Sequence, residues 1–497
     1  MLDFNQIKEL IAKGETVSLE CKEASFAIPK SVYETYSSLA NTNGGHILLG
    51  VKEDRKNHSF EVTGVVNADE MLKSFWGEIN NPRKVSINIL KDENVYTVTE
   101  EGKTVIVIKV PRARFNERPV YVGENPYSGT FKRNNEGDYH CTMDEVNSMI
   151  RDKSSNGNDS VILEGLTMND IDNDTLRGYR NFFRTYNDSH IWNGLPDQEF
   201  LENLGGYARD EKTGVEGLTA AGFLMFGKGV RIRNKFAHIF MDYRDERNKT
   251  VDVRWIDRIV YDGTWECNLF NFFMRVVPKL TADLQKPFHL EGIYRVDDTP
   301  VHKAVREALI NMIIHADYFI QGTLKVIRNN DSFVISNPGS LKLPREQIYK
   351  GGSSLARNPN MQTMFRMIGL GDEAGSGFPT IVSVWKENGW IEPDLEEEYE
   401  LNQVVLTLSF KKPAIKNGDK KVAIKNGDKK VAIKTVENKK AILSFLSDGS
   451  FRNINEIMEV LGLGKSRTRE LLAELTETGE IIAEGSNKYR KYRRSDY

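Results

Sequence analysis

One stretch decides the fold of this chain: Arg306-Glu307-Ala308-Leu309-Ile310-Asn311-Met312-Ile313-Ile314-His315-Ala316-Asp317-Tyr318. Apolar residues recur in it at i, i+1, i+4 and i+5, which predicts a helix with a broad apolar face. Glu307 and Asn311 are four residues apart, so they lie on one side of that helix. An amide oxygen suits Mg²⁺ and a carboxylate can orient or deprotonate a water, so the pair predicts a nucleotide site. A solvated helix edge is the alternative, because this spacing is common by chance.

The segments that follow the helix favour the nucleotide interpretation. Residues 324–327 and 332–336 are predicted strands of a hairpin that turns at 328–331. Glycine clusters come next, at 350–354 and 369–377. Backbone without a Cβ can approach phosphate closely, and an apolar run after Gly377 predicts a helix whose N-terminus would face that phosphate.

Four segments in this order resemble the divergent GHKL-type ATP-binding domain of bacterial proteins described as transcriptional regulators or RecG-like C-terminal domains. The resemblance covers about residues 300–410 and rests on residues 307–318, Ile335-Ser336-Asn337-Pro338-Gly339, Arg357-Asn358-Pro359 and Glu373-Ala374-Gly375-Ser376-Gly377. It implies that Asn311 is a Mg²⁺ ligand and that Glu307 activates water. Asn337 stands where the wider superfamily has an adenine-reading Asp, and its amide oxygen can accept the same hydrogen bond. The implied cofactor-binding residues are Asn311, Asn337, Gly339, Arg357, Gly375 and Gly377.

Composition is that of a soluble, multidomain protein. The chain has 497 residues, 39% hydrophobic and 28% charged, and no run of 18 apolar residues or signal peptide is predicted. Its three widely spaced cysteines suit a reducing cytoplasm. Residues 411–497 carry 20 Lys+Arg against 12 Asp+Glu, whereas the rest carries 48 against 59. A basic tail on an acidic body predicts a polyanionic partner for the tail.

Residues 1–153 predict an α/β domain, with a strand over 17–22, a helix over 32–40 and further strands at 46–51, 85–90, 95–99 and 104–110. Four motifs resemble the Schlafen AlbA-2 domain, which implies association with nucleic acid. They are Gly14-Glu15 with Glu20-Cys21-Lys22, Leu39-Ala40-Asn41-Thr42-Asn43-Gly44-Gly45, Gly50-Val51-Lys52-Glu53-Asp54, and Asn125-Pro126-Tyr127-Ser128-Gly129-Thr130. Lys22, Lys52 and Arg55 are candidate phosphate contacts, with a solvated surface as the alternative.

The Schlafen resemblance also raises a nuclease alternative. Glu15 and Glu20 match the spacing of the paired carboxylates in nuclease members, and Asp54, or alternatively Glu53, is the candidate third acid. Three acidic side chains could hold Mg²⁺ or Mn²⁺ against a scissile phosphate. The alternative is structural: Glu15 is a loop charge, and Glu20 pairs with Lys22 or Lys52.

Residues 154–295 predict an α/β connector that packs on the ATP-binding domain, residues 296–410. A nine-residue polar repeat, at 414–422 and again at 423–431, predicts a flexible basic linker over 411–439. Residues 440–497 resemble a winged helix. Its candidate nucleic-acid contacts are Lys465, Arg467, Arg469, Lys488 and Arg490, and a protein-binding winged helix is the alternative.

Together these features predict an α/β multidomain protein: an AlbA-2 domain, a GHKL-like α/β sandwich and a C-terminal winged helix. The predicted function is that of a cytoplasmic, ATP- and Mg²⁺-binding, DNA-binding transcriptional regulator that forms a homo-oligomer. The alternative is an ATP-gated, metal-dependent nuclease acting on DNA or RNA, for example in phage defence. Whether ATP is hydrolysed stays open.

Deleting residues 411–497 should weaken binding to duplex DNA and flatten its salt dependence, because each lost phosphate contact removes about one released counterion. Fluorescence anisotropy with labelled duplex at several salt concentrations measures the slope. An unchanged slope would mean that the tail has another partner.

Overall fold

The computed structural model describes the chain in two compact units, Met1–Pro413 and Ala414–Tyr497. The description leaves out residues 55–56, 58, 155, 251–252, 285–289, 292–293, 296–297, 372–375, 400, 414–440, 462–467, 470, 473–474, 477–479, 486–489 and 496–497, and the side chains of 290–291, 294–295, 459 and 461. Among the described residues, no helix has the length and apolar content needed to span a membrane.

The described residues of the first unit form both helices and strands. The helices of the first unit are α1 Phe4–Ile11, α2 Ser31–Asn41, α3 Ala68–Ile79, α4 Pro126–Gly129, α5 Met143–Asp152, α6 Asn173–Tyr186, α7 Asp197–Asn203, α8 Ala220–Phe226, α9 Gly229–Lys235, α10 Leu269–Thr281, α11 Pro300–His315, α12 Arg345–Lys350, α13 Pro359–Arg366 and α14 Gly377–Glu387. Its strands are β1 Leu19–Lys22, β2 Gly45–Leu49, β3 Val51–Asp54, β4 Ser59–Val62, β5 Val95–Glu100, β6 Lys103–Val110, β7 Phe131–Asn134, β8 Gly137–His140, β9 Tyr207–Arg209, β10 Glu216–Leu218, β11 Ile239–Asp245, β12 Asp257–Ile259, β13 Leu290–Glu291, β14 Tyr294–Arg295, β15 Gly322–Arg328, β16 Ser332–Pro338, β17 Asp394–Glu398 and β18 Gln403–Ser409.

The N-terminal part is a three-layer arrangement around a four-stranded sheet of order β1-β2-β6-β5. Only β1 and β2 are parallel. Successive residues of a strand point to opposite faces, so Ile47 and Leu49 pack with α2 and α3, whereas Leu48 packs with α1. Asp3 caps α1, and Gln6 completes a capping box.

The Leu39–Gly45 motif holds this N-terminal fold together. The Asn41 amide donates to the carbonyls of Val120 and Phe131 at 2.7 and 2.9 Å and accepts from the backbone N–H of Val120. Gly44 has φ +72°, and a Cβ there would lie 2.6 Å from the Val110 carbonyl oxygen. The motif is therefore a structural connection between α2 and the distant 110–131 region.

The strand predicted over 85–90 does not form. Val85 makes only an isolated bridge, to Val122. The Tyr36 hydroxyl donates to the Ile87 carbonyl and accepts from the Ile89 N–H, and the Asn88 side chain accepts from the Leu90 N–H. Side chains thus satisfy backbone groups that a strand would have paired.

The second part of this unit is built on a six-stranded sheet of order β12-β11-β15-β16-β18-β17. Two strands of the predicted connector, β11 and β12, belong to this sheet, and β11 runs parallel to β15. Helix α11 packs on β16, α10, α13 and α14. The apolar face predicted for the 306–318 stretch is buried: Ala308, Leu309, Met312 and Ile313 are at most 3% exposed.

Buried ion pairs join the N-terminal part to the second part. The Arg357 guanidinium, 1% exposed, donates twice to the carboxylate of Asp152, both at 2.8 Å. Asp317, fully buried, accepts from Ser148 and Arg151 at 2.6 and 2.9 Å. A charge is tolerated away from water only when it is paired and hydrogen-bonded, so these contacts fix the end of α5 against α11.

In the second unit, strands β19 Arg452–Asn453, β20 Ile481–Glu484 and β21 Lys491–Arg494 form a sheet of order β19-β21-β20, next to helix α15 Ile454–Leu461. Asn453 and Glu456 make the predicted reciprocal cap at the start of α15. The core includes Ile442, Ile457, Leu471 and Ile481. The winged-helix assignment itself stays a prediction.

Asp152→Ala should destabilise the first unit by about 3–5 kcal/mol, because it leaves the Arg357 charge buried without its partner. Burial raises the pKa of Asp152, but Arg357 outweighs burial and holds the pKa below its usual range. The stabilisation is therefore present above the unfolded-state pKa, about 4, and is lost as pH falls through the lower folded-state value.

Urea unfolding at neutral and acidic pH measures this effect. Glu100→Ala is the matched control, since its ion pair with Lys8 is exposed and the unfolding midpoint should hardly move. A midpoint shift for Asp152→Ala as small as that of the control would contradict the prediction.

Candidate functional site

A cleft opens between α11, the start of α14 and strands β16 and β18. Just over half of the described lining residues are apolar, and nine are polar: Glu307, Asn311, His315, Asn337, Ser340, Lys342, Ser353, Ser354 and Gln362. A cleft with apolar and polar parts suits a ring system that carries a polar substituent.

The predicted Glu307–Asn311 pair lies in this cleft. The Asn311 Nδ2 donates to Glu307 Oε1 at 3.2 Å, as the four-residue spacing on α11 leads one to expect. Gly377 begins α14 directly against Glu307, and a Cβ at Gly377 would lie 1.9 Å from Glu307 Oε1. The Glu307 carboxylate therefore lies against the N-terminus of α14, where only glycine leaves it room.

The Asn337–Gly339 segment ends β16 at the cleft. Asn337 is 7% exposed and lines the cleft, and its Nδ2 donates to the Pro338 carbonyl at 3.3 Å. This bond uses the amide nitrogen and keeps Oδ1 as an acceptor. Gly339 has φ +107°, and a Cβ there would meet Arg357 Nη1 at 2.9 Å, so glycine is required by backbone and packing alike.

Arg357 has protein partners in place of the predicted nucleotide. It is not among the residues that line the cleft. Besides Asp152, its guanidinium donates to the carbonyls of His315 and Ser340. The neighbouring Asn358 donates to the Ala316 carbonyl at 2.8 Å. The Arg357-Asn358-Pro359 motif thus fastens the end of α11.

Two further cleft residues were not predicted as ligands. Burial, with Arg357 and Lys342 nearby, lowers the pKa of His315 to about 4, so this side chain is neutral at pH 7. Burial also lowers the pKa of Lys342, whose ammonium lies 4.8 Å from the ring centroid of Phe115. No motif marks Lys342, because its environment comes from residues far away in the chain.

Three family models match the chain. The model described as "Schlafen, AlbA_2" matches residues 15–142. The model described as "Putative ATP-dependent DNA helicase recG C-terminal" matches residues 323–408. The chain carries a Schlafen AlbA_2 domain and a RecG-like C-terminal domain. Between them, residues 147–242 match "Domain of unknown function (DUF8451)". The domains relate the chain to nucleic-acid and ATP-linked proteins, and they confirm the α/β multidomain fold.

Two solved structures resemble the chain. The crystal structure of the DIP2311 protein from Corynebacterium diphtheriae is 15% identical, covers 99% of this chain and 98% of its own, and has a TM-score of 0.40. The solution structure of the N-terminal domain of a "Putative ATP-dependent DNA Helicase RecG-related Protein" from Nitrosomonas europaea is 24% identical, covers 29% of this chain and 95% of its own, and has a TM-score of 0.23. No curated protein matches the chain.

In the AlbA_2 domain, Glu20 is engaged by cations. Glu20 is 5% exposed; its Oε2 lies 2.7 Å from Arg133 Nη2, and its Oε1 contacts the Lys22 ammonium. Glu15 Oε1 accepts from the Cys21 N–H at 2.8 Å, and burial raises the pKa of Glu15. Asp54, at the end of β3, accepts from Asn57 Nδ2 at 2.8 Å.

Within the part of the chain that the structure describes, no group of three or more His, Cys, Asp or Glu side chains is placed to hold a metal ion. The nuclease site formed by Glu15, Glu20 and Asp54 stays a prediction. The structural alternative paired Glu20 with Lys22 or Lys52. Glu20 pairs with Lys22, whereas Lys52 pairs with Glu23 at 3.2 Å.

The predicted basic contacts are only partly described. Lys22 and Lys52 are held in the ion pairs above, and Arg469 and Arg490 are exposed. Arg490 lies 5.8 Å from the ring centroid of Tyr492. Four further predicted basic contacts lie outside the described residues: Arg55, Lys465, Arg467 and Lys488. The predicted cofactor-binding residue Gly375 also lies outside them.

Gly377→Ala tests whether the position of the Glu307 carboxylate affects ATP binding. The new Cβ displaces the Glu307 carboxylate without forbidding helix α14, so the melting temperature without ligand should hardly change, while stabilisation by ATP with Mg²⁺ should fall. Thermal melts with and without ATP measure both effects.

Gly178→Ala is the matched control, because this glycine lies in helix α6 with open space around its Cβ position. It should keep the full response to ATP and gain a little helix stability. An undiminished ATP response in Gly377→Ala would show that displacing Glu307 does not affect the ligand.

Proposed function

We propose that this chain is an ATP-binding, nucleic-acid-binding protein and that ATP in the cleft regulates how it binds DNA. One observation carries the proposal: Glu307, Asn311, Asn337 and Gly377, drawn from three separate sequence motifs, line one cleft. The matches to the AlbA_2 and RecG-like families support the nucleic-acid and ATP parts of it.

The residues present fit a magnesium nucleotide. The Asn311 amide oxygen and the Glu307 carboxylate are hard oxygen donors, which Mg²⁺ prefers, and Mg²⁺ in such sites takes its other ligands from water and phosphate. Bound Mg²⁺ would neutralise phosphate charge. Glu307 is the cleft carboxylate able to orient or deprotonate a water, and Asn311 Nδ2 holds its Oε1 in place.

The base of the nucleotide is assigned to the apolar part of the cleft. Asn337 Oδ1 would accept from an adenine amino group there, since Asn337 Nδ2 already donates to Pro338. Gly339 and Arg357 pack against each other and do not line the cleft, whereas Gly377 would lie near phosphate.

The regulator role rests on the remaining modules. The AlbA_2 domain and the basic C-terminal residues Arg469 and Arg490 are the proposed DNA contacts, with the latter on a winged helix. We assign the protein to the cytoplasm, as a homo-oligomeric transcriptional regulator.

Asn311→Ala should abolish stabilisation by ATP with Mg²⁺. A ligand that binds only the folded state stabilises it by about 2.7 kcal/mol at a free concentration a hundredfold above Kd, and this gain disappears with the site. Thermal melts measure it. Asn181→Ala, an exposed asparagine on α6, is the control and should keep the shift.

The same two variants test regulation. ATP should change the Kd of the wild-type protein for duplex DNA, measured by fluorescence anisotropy, and Asn311→Ala should show no such change, because coupling requires occupancy of the cleft. An ATP shift of wild-type size in Asn311→Ala would refute the site assignment.

A further inference from the structure

The wall between the cleft and the AlbA_2 domain carries more positive than negative charge. Two of its guanidinium groups are paired: Arg112 donates to Glu397 at 2.8 and 3.2 Å, and Arg357 donates to Asp152. Two further cations lie beside them, Arg118 and Lys342. Within the described residues, neither forms a salt bridge.

Arg118 is buried without a carboxylate. It is 3% exposed, its Nη2 donates to the Leu341 carbonyl at 3.2 Å, and its Nε has no hydrogen-bond partner. Burial, with Arg112 next to it, lowers the pKa of Arg118 to about 10. The protein therefore holds a guanidinium here in surroundings that disfavour its charge.

Lys342 is the residue that brings this excess charge to the cleft. Among the described residues that line the cleft, it is the only lysine or arginine. Its ammonium faces the Phe115 ring, which attracts a cation but does not neutralise it. Burial disfavours the Lys342 charge, Asp152 favours it, and Arg357 and Arg118 disfavour it. An anion placed beside Lys342 would relieve this imbalance.

We propose that Lys342, with Arg118 of the AlbA_2 domain behind it, contacts the phosphate groups of the cleft's ligand. The inference rests on the proposed nucleotide function and adds to it the residue that selects for phosphate. The apolar part of the lining would bind the base. Lys342 would distinguish a nucleotide, which carries phosphate, from the nucleoside, which does not. Leu341 and Lys342 are adjacent, so the phosphate contact lies directly on the segment that Arg112 and Arg118 hold.

Titration of the full-length chain with ATP, AMP and adenosine tests the proposal. Wild-type protein should bind ATP more tightly than adenosine. Lys342→Gln should lose about tenfold or more in ATP affinity, the size of one charged hydrogen bond, and keep its adenosine affinity. Lys342→Arg should keep most of the preference for ATP. Lys212→Gln, an exposed lysine between β9 and β10 and outside the cleft lining, is the control and should behave as wild type.

The outcomes separate this proposal from the function on which it rests. Wild-type affinities in Lys342→Gln, or equal losses for ATP and adenosine, would overturn the role of Lys342 while leaving nucleotide binding intact. If the wild-type protein binds no adenine ligand, the proposed function fails. Inorganic tripolyphosphate then decides about Lys342: a thermal shift lost in Lys342→Gln supports the anion contact, and its absence overturns it.

Discussion

The buried ion pair between Arg357 and Asp152 is the interaction on which the rest of the structure depends. Neither group tolerates its position alone, because desolvating an unpaired charge costs several kcal/mol. The pair therefore forces the end of α5 to meet the segment before α13. Arg357 also donates to the carbonyls of His315 and Ser340, so one guanidinium fixes the end of α11 and the chain that leaves β16. The helix that bears Glu307 and Asn311 is positioned against α5 in this way.

The segment Ser340–Leu343 connects these contacts to the cleft. All four of its residues line the cleft, while the Leu341 N–H donates to Glu397 and the Leu341 carbonyl accepts from Arg112 and Arg118. The cleft lining and two arginines of the AlbA_2 domain thus meet at the same short segment. Coupling between two sites requires an element that both can bias, and this segment has the contacts for it. Glu397 stays charged there because Arg112 outweighs the effect of burial and lowers its pKa.

Sequence reasoning found what depends on local spacing. The 306–318 periodicity located α11, and the Glu307–Asn311 spacing placed both groups in one cleft. Sequence reasoning was less informative for polar residues whose partners are distant in the chain. Asn41, Arg357 and Asn358 stand in motifs that suggest ligand contacts, yet their side chains bond backbone and carboxylate groups far away in the chain. Lys342 is the opposite case. No local sequence pattern identifies it as a ligand, and its position becomes informative only in the folded structure, where Arg118 and Phe115 lie close to it.

The two carboxylate sites differ in what a metal ion would have to displace. At Glu20, a cation must compete with Arg133 and Lys22, and Arg133 is itself 1% exposed. If Glu20 bound a metal ion instead of Arg133, Arg133 would keep Asp138 as its charged partner, and the Thr16 and Leu19 carbonyls as neutral partners. Leaving a buried guanidinium underpaired is costly. In the cleft, a metal ion on Glu307 Oε1 would have to displace the hydrogen bond from the Asn311 amide. A metal ion on Glu20 would have to displace two cations from a carboxylate that is 5% exposed.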